Sequence, residues 1–447
     1  MRCVRGGAPV ESPEGIYRAM LTTPERAVAS IADGETIACG MAVSQPPALL
    51  TATAARLRSG DLGRIVLYYK LAMEPLATTL LADDVVDSVD ACSFFISAPD
   101  RRIIRRQAET GNKIFSFVPA NFSQIPRLFE ETIDLDTFMI TVSPMDHGGY
   151  FSLGTNNDFS SVAARRAKRL LVEVNRSMPR VFGQSQLHVS EVSAIVENHV
   201  PLLEGGLGES TDAARAIGAL VAPMVPDGAT IQIGIGSVAS CVADALVNHS
   251  DLGIHSELFS PALADLITRG VVTGARKTLH PHKHVFTVAI GTRATYDLMD
   301  DNSAFESYPC SYVNDIRTIA AHDDLISINN AIEVDLYGQV NAEFINDHEY
   351  GGAGGQFDFV KGASLSRRGK SIIALQSTAR DGTVSRIVPR VQMVTDTRMD
   401  VEWVVTEYGA VNLRGMSTKQ RADALISIAH PDFRAELTAA ARSVTLI

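Results

Sequence analysis

One short pattern occurs twice in this chain, and it limits the fold more than any other feature. Asp33-Gly34-x-Thr36-Ile37-x-x-Gly40 in the first half is matched by Asp227-Gly228-x-Thr230-Ile231-x-x-Gly234 in the second. Each copy reads as a turn, a buried strand and a glycine at the strand's end. About one helix later Asp61-Leu62-Gly63 and Asp251-Leu252-Gly253 recur in the same order, each leading into a second strand. Two ordered matches with nearly equal spacing point to a duplicated unit. Around them, apolar runs at 36–39, 64–69, 113–117, 137–142 and 169–174 alternate with amphipathic stretches such as 45–57 and 161–168, and a second series of runs begins at 230–235. That alternation is the mark of an α/β fold. At 447 residues the chain is long enough for two cores. We therefore expect two similar α/β domains, at 21–205 and 206–447, after an extension at 1–20. The Gly-rich stretch at 204–210 is the expected linker, and disorder is expected only in the first dozen residues.

The two copies differ at one informative place. Counted from the paired glycines, Glu257 answers to Leu67, so an acid stands in only one copy. Glu257 lies where an apolar strand runs out, the end at which α/β sheets bind ligands. The neighbouring strand ends in Gly234-Ile235-Gly236-Ser237 and opens a helix, which offers free N–H groups to an anion. The plain alternative is a solvated glutamate. A nicotinamide site is disfavoured because the third glycine of its fingerprint is missing. His255, two residues before Glu257, reads as a packed strand residue. Gly351, Gly352, Gly354 and Gly355 form a loop whose backbone can approach a ligand closely. The turn Gly40–Ser44 is the repeat partner of the Gly234 loop, so Met41 is expected to face the same cleft and line a substrate pocket there.

Other function classes fall away. A formal net charge of −11 argues against nucleic-acid binding, and the pairs Arg101-Arg102, Arg105-Arg106 and Arg165-Arg166 read as solvated helix faces. The five cysteines form no Cys-x-x-Cys pair. The tract His280-Pro281-His282-Lys283-His284 has no acid or cysteine spaced to complete a metal site, so no metal is expected. No apolar run is long enough to span a membrane, and a cytoplasmic location is expected.

At these residues the sequence resembles the acetyl-CoA hydrolase/transferase family, and within it the 4-hydroxybutyrate CoA-transferase branch. The resemblance runs from about Thr22 onward. It is carried by the stretches 143–154 and 178–183, by Gly234-Ile235-Gly236, Gly253–Glu257, Lys277–Pro281 and Tyr312–Asp315, by the Gly352–Phe359 loop and by Thr406–Gly409. It implies two similar α/β domains with the active site at their interface. Coenzyme A would be the substrate carried, with an acyl-CoA and a small carboxylate as partners and a homodimer or homotetramer as the assembly. Glu257 lands on the family's nucleophile, which becomes a glutamyl-CoA thioester in a ping-pong cycle. The N–H groups of Ile235 and Gly355 land on its oxyanion donors. Gly234, Gly236, Ser237 and Gly354 land on its glycine loops, and Asn314 lands on a polar residue that lines the thioester site. The acceptor implied is an acid such as 4-hydroxybutyrate, butyrate or itaconate. The first 20 residues and Gln376, where relatives have proline, depart from the pattern. Two rival readings are an acyl-CoA hydrolase using the same glutamate and a non-catalytic ligand-sensing module.

Overall fold

The computed structural model describes residues 12–447 apart from 112, 207 and 209. Its first half is a seven-stranded parallel sheet built from β1 (Thr36–Cys39), β2 (Ile65–Tyr69), β3 (Val89–Ser93), β4 (Phe115–Phe117), β5 (Thr137–Val142), β6 (Arg169–Val174) and β7 (Ala194–Glu197), in the order β7-β6-β5-β1-β2-β3-β4. The second half adds β8 (Thr230–Ile233), β9 (Gly253–Phe259), β10 (His284–Ala289), β11 (Phe305–Ser307), β12 (Leu325–Asn329), β13 (Lys370–Ala374), β14 (Trp403–Thr406) and β15 (Gly409–Asn412). Seven of these lie in the order β14-β13-β12-β8-β9-β10-β11. That is the first sheet's order repeated strand for strand, which the two sequence copies implied. β15 pairs antiparallel to β14 at one edge. Every residue of β5 and β10 is buried, as expected of parallel strands covered by helices on both faces. Gly34 and Gly228 open the repeat with φ of 77° and 79°, a turn that favours glycine.

The pairing register corrects the correspondence drawn from the sequence. β1 pairs Thr36 with Val66 and Ile37 with Leu67, while β8 pairs Thr230 with Gly253 and Ile231 with Ile254. Leu67 therefore matches Ile254, and the counterpart of Glu257, three residues further along each strand, is Lys70 and not Leu67. The count from the glycines misleads because Gly253 is the first residue of its strand, whereas Gly63 precedes β2.

The halves interlock. The strand Phe182–Gly183, from the first half, pairs with β11 at the far edge of the second sheet. The N–H groups of Asn157 and Asp158 donate to Thr287 O of β10 at 3.0 and 3.2 Å, and Cys310 N–H donates to Asp158 O at 2.9 Å. The largest apolar cluster runs through both halves, from Phe138 and Phe159 to Phe286 and Ile326. Residues Pro13–Met20 form a helix capped by Ser12, whose Tyr17 hydroxyl donates to Glu197 of β7 at 2.7 Å.

The turn that holds Met41 is fixed by a buried acid. It leads into the helix α1 (Pro47–Ser59), whose cap residue is Pro46 and so has no side-chain acceptor of its own. Glu173 of β6 supplies one, accepting from Ala48 N–H at 2.9 Å and Leu49 N–H at 3.1 Å, while Asn198 donates to its other oxygen at 2.7 Å. Glu173→Ala should lower stability by about 1–3 kcal/mol in urea unfolding, the cost of losing a helix cap and stranding buried donors.

Candidate active site

Glu257 projects from the end of β9 into a cleft of 1160 Å³ between the two halves. Met41, Lys70 and Phe95 line it from the first half, and Ile235, Glu257 and Gly354 from the second. With 22% of its side chain exposed, the carboxylate is partly wet and reachable. Its orientation comes from the short helix α2 (Cys310–Val313). Asn314, buried at the end of that helix, donates from Nδ2 to Glu257 Oε2 at 2.9 Å. His255 braces this arrangement from the same strand, its Nε2 lying 2.8 Å from Val313 O. Burial pushes its imidazole down to about 3, so it stays neutral and packs, as the sequence suggested.

The glycine loop meets the carboxylate from the other side. A Cβ on Gly355 would lie 1.9 Å from both Glu257 Oε2 and Asn314 Nδ2, so only glycine permits this approach. Gly354 has φ of 55°, a left-handed conformation that glycine adopts without strain. The first half anchors the loop at three points. Ile96 N–H donates to Gly351 O at 2.9 Å, Phe122 N–H to Gly354 O at 3.0 Å, and Arg101 Nη1 to Tyr350 O at 2.9 Å. Gly355 then caps the helix α3 (Gln356–Leu365).

A lysine completes the centre. Lys70, 2% exposed, follows β2 and places Nζ 3.9 Å from Glu257 Oε1 and 3.0 Å from the centroid of the Phe122 ring. Burial lowers its pKa, and the nearby Glu257 opposes that shift. Asp358, in the first turn of α3, accepts from Ser123 N–H at 3.1 Å and from Ser123 Oγ at 2.9 Å. Burial pushes its carboxyl up to about 7.

The residues picked from the sequence gather unevenly. Glu257, Asn314 and Gly355 are in direct contact, and Gly234, Ile235, Gly354 and Met41 line the same cleft. Gly236 and Ser237 do not line it. Gly236, with φ of 102°, caps the helix Ser237–Ala245 instead. Ile235 is 52% exposed at the cleft wall. Arg101 and Arg105, expected on a solvated face, turn into the cleft, and Arg101 stacks on Tyr350 at 4.4 Å. The helix 98–110 that carries them is amphipathic, and its other two arginines do meet solvent-facing partners, Asp83 and Asp87. Gln376 bonds Thr211 Oγ1 at 2.9 Å. The histidine tract is occupied internally, His280 bonding Tyr312 Oη at 2.6 Å and pairing with Glu306 at 3.3 Å. Among the described residues no cluster of His, Cys, Asp or Glu is arranged to hold a metal, and no helix is long and apolar enough to cross a membrane. Sequence reasoning missed Lys70, Phe95 and Phe122. The signal for Lys70 was a charged residue ending an apolar strand in one copy of the repeat.

Twin α/β halves that close on a glutamate, with a glycine loop pressed against its carboxylate, define an enzyme of the CoA-transferase class. The comparisons agree. Residues 11–204 match the acetyl-CoA hydrolase/transferase N-terminal domain and residues 291–441 its C-terminal domain. The chain is 39% identical over 428 residues to the 4-hydroxybutyrate coenzyme A transferase of Clostridium kluyveri, covering 95% of this chain and 97% of that one. It is 37% identical over 439 residues to the succinyl-CoA:cyclohexane-1-carboxylate CoA transferase of Geobacter metallireducens, covering 98% of each. The crystal structure of RipA from Yersinia pestis superposes with a TM-score of 0.95 at 48% identity, covering 98% of this chain and 100% of that one. The chain belongs to the acetyl-CoA hydrolase/transferase family.

Two outcomes follow from the geometry. Gly355→Ala should abolish turnover while leaving the unfolding midpoint close to wild type, because the added methyl displaces the Glu257 carboxylate and Asn314 and not the core. Asp358→Asn should change how stability varies with pH. A carboxyl whose folded pKa is raised binds more protons folded than unfolded, so the wild type should lose stability as pH rises from about 4 to about 7. The asparagine variant, followed by thermal melts over the same range, should lack that decline.

Proposed function

We propose that this enzyme moves coenzyme A from an acyl-CoA to a small carboxylic acid, by way of a thioester on Glu257. The observation that carries the reading is the contact of one carboxylate with both the Asn314 amide and the Gly355 backbone. A carboxylate is a weak nucleophile, yet donor and acceptor are acids of similar basicity, so each exchange is nearly balanced. In the first step a Glu257 oxygen attacks the acyl-CoA carbonyl, and the C–S bond breaks. This gives a mixed anhydride and CoA thiolate. The thiolate then attacks the glutamyl carbonyl, forming glutamyl-CoA and releasing the first acid as its carboxylate. The second acid runs the same steps in reverse.

Each tetrahedral intermediate carries an oxyanion that needs donors fixed in advance. Among the described residues neither the Ile235 nor the Gly355 N–H is engaged in a backbone hydrogen bond. One such donor is worth about 2.7–4 kcal/mol in comparable sites. Binding energy from the distant part of CoA is the second contribution, and the cleft wall offers arginines for its phosphates. Arg105, Arg380, Arg386 and Arg390 line the cleft. In a chain of net charge −11, none of the four is in an ion pair among the described residues. With the chain divided near Gly205, the first domain supplies the acyl side of the cleft. Met41, 4% exposed there, selects the acyl group by shape.

The relatives' acids differ in size and polarity, which fits a scaffold whose acyl pocket is tuned by a few side chains. Incubation with acyl-CoA, trapping with borohydride or hydroxylamine, and peptide mass spectrometry should find the modification on the peptide containing Glu257. Glu257→Ala should still bind CoA and give neither adduct nor turnover. An unmodified Glu257 peptide in an active preparation would refute the reading.

A further inference from the structure

The carboxylate at the centre of the cleft has an unusual partner. Lys70 is 2% exposed, and its ammonium donates no hydrogen bond among the described residues, although it carries three donors. Its surroundings are the Phe122 ring at 3.0 Å, the Phe95 ring at 5.8 Å and Glu257 Oε1 at 3.9 Å. Asp158, Asp358 and Cys310 also act on it electrostatically. Each of those three is committed elsewhere. Asp158 accepts from Phe159 N–H, Ser160 N–H and Ser160 Oγ, Asp358 from Ser123, and Cys310 donates its thiol to Phe122 O. Of the carboxylates that line the cleft with Lys70, Glu257, Glu333 and Glu349, Glu257 is the one within ion-pair distance of it among the described residues.

We propose that Lys70 docks the carboxylate of the acceptor acid, and does so specifically when Glu257 has become a thioester. The inference rests on the reading of Glu257 as the residue that carries CoA. In the free enzyme the ammonium is balanced by the Glu257 carboxylate, and the incoming acyl-CoA brings a neutral acyl group to that pair. Conversion of Glu257 to glutamyl-CoA removes its negative charge. Once the first acid has left, a buried cation faces the cleft without its counter-ion, an unfavourable state that an anion relieves. A carboxylate arriving there gains the ammonium's unused donors and is held beside the glutamyl carbonyl. Its free oxygen attacks that carbonyl and CoA leaves as thiolate. The thiolate then takes the acyl group from the anhydride, and the negative charge returns to Glu257. One carboxylate is consumed and one regenerated, so charge balances at every stage. Water, being neutral, gains far less from the cation than a carboxylate does, and the enzyme is thereby biased from hydrolysis toward transfer.

The test isolates the second half-reaction. Wild type, Lys70→Met and Lys70→Gln are charged with acyl-CoA, freed of small molecules, and the glutamyl-CoA form is discharged with either acetate or hydroxylamine. Loss of a charge-assisted hydrogen bond should slow discharge by acetate about ten- to hundredfold. Discharge by hydroxylamine, a neutral nucleophile, should stay within about threefold, and hydrolysis should take a larger share of turnover. Equal slowing by both nucleophiles, or no change with acetate, would overturn the proposal. A wild-type measurement decides the case if neither variant folds. Nitrate, an inert anion, should compete with the acid and not with acyl-CoA, and competition with acyl-CoA alone would equally overturn it. Failure of the wild type to form any thioester would instead defeat the proposed function.

Discussion

The site depends on a backbone being allowed to come too close for any side chain. Gly355 sits where a Cβ would overlap both Glu257 and Asn314. The carboxylate proposed as nucleophile, the residue that aims it and the loop that faces it thus form one packed unit. The unit spans the molecule, because the glycine loop is tied to Ile96, Phe122 and Arg101 of the other half. A preorganised site of this kind places its donors before the reaction begins, which is what stabilising a transient oxyanion requires.

Duplication explains how such a cleft arises and why it is asymmetric. Both sheets repeat one strand order, and the loops after β1 and β8 both reach the cleft, through Met41 and Ile235. The equivalent position at the end of the next strand carries Lys70 in one half and Glu257 in the other. A symmetric ancestor would have put like groups face to face. Here opposite charges meet at 3.9 Å, one side supplying a carboxylate and the other the field around it.

Much of this was legible in the sequence, and the gaps have physical causes. Runs such as Thr137–Val142 and Arg169–Val174 coincide with strands residue for residue, because strands buried on both faces are mostly apolar, and the buried Glu173 within one of them is held by hydrogen bonds. Val89–Ser93 escaped notice. Its burial alternates and it carries Asp90, which pairs with Arg64. Glu257, Asn314 and Gly355 were reached through motifs and a family resemblance. Lys70 was hidden by a register error, since one glycine of the pair precedes its strand and the other begins it. Arg101 and Arg105 were misplaced because helical periodicity gives two faces without saying which of them borders a cavity.

The strand Phe182–Gly183 has a mechanical consequence. It leaves the first half to complete the opposite edge of the second sheet, while a shared apolar cluster fills the space between. Two bodies stitched in this way cannot swing apart like a clamshell without tearing sheet and core together. Entry and exit of a molecule as long as an acyl-CoA must then fall to the segments around its mouth, such as the hairpin of Phe344–Ile345 with His348–Glu349, whose few bonds allow it to yield while the reacting centre stays still.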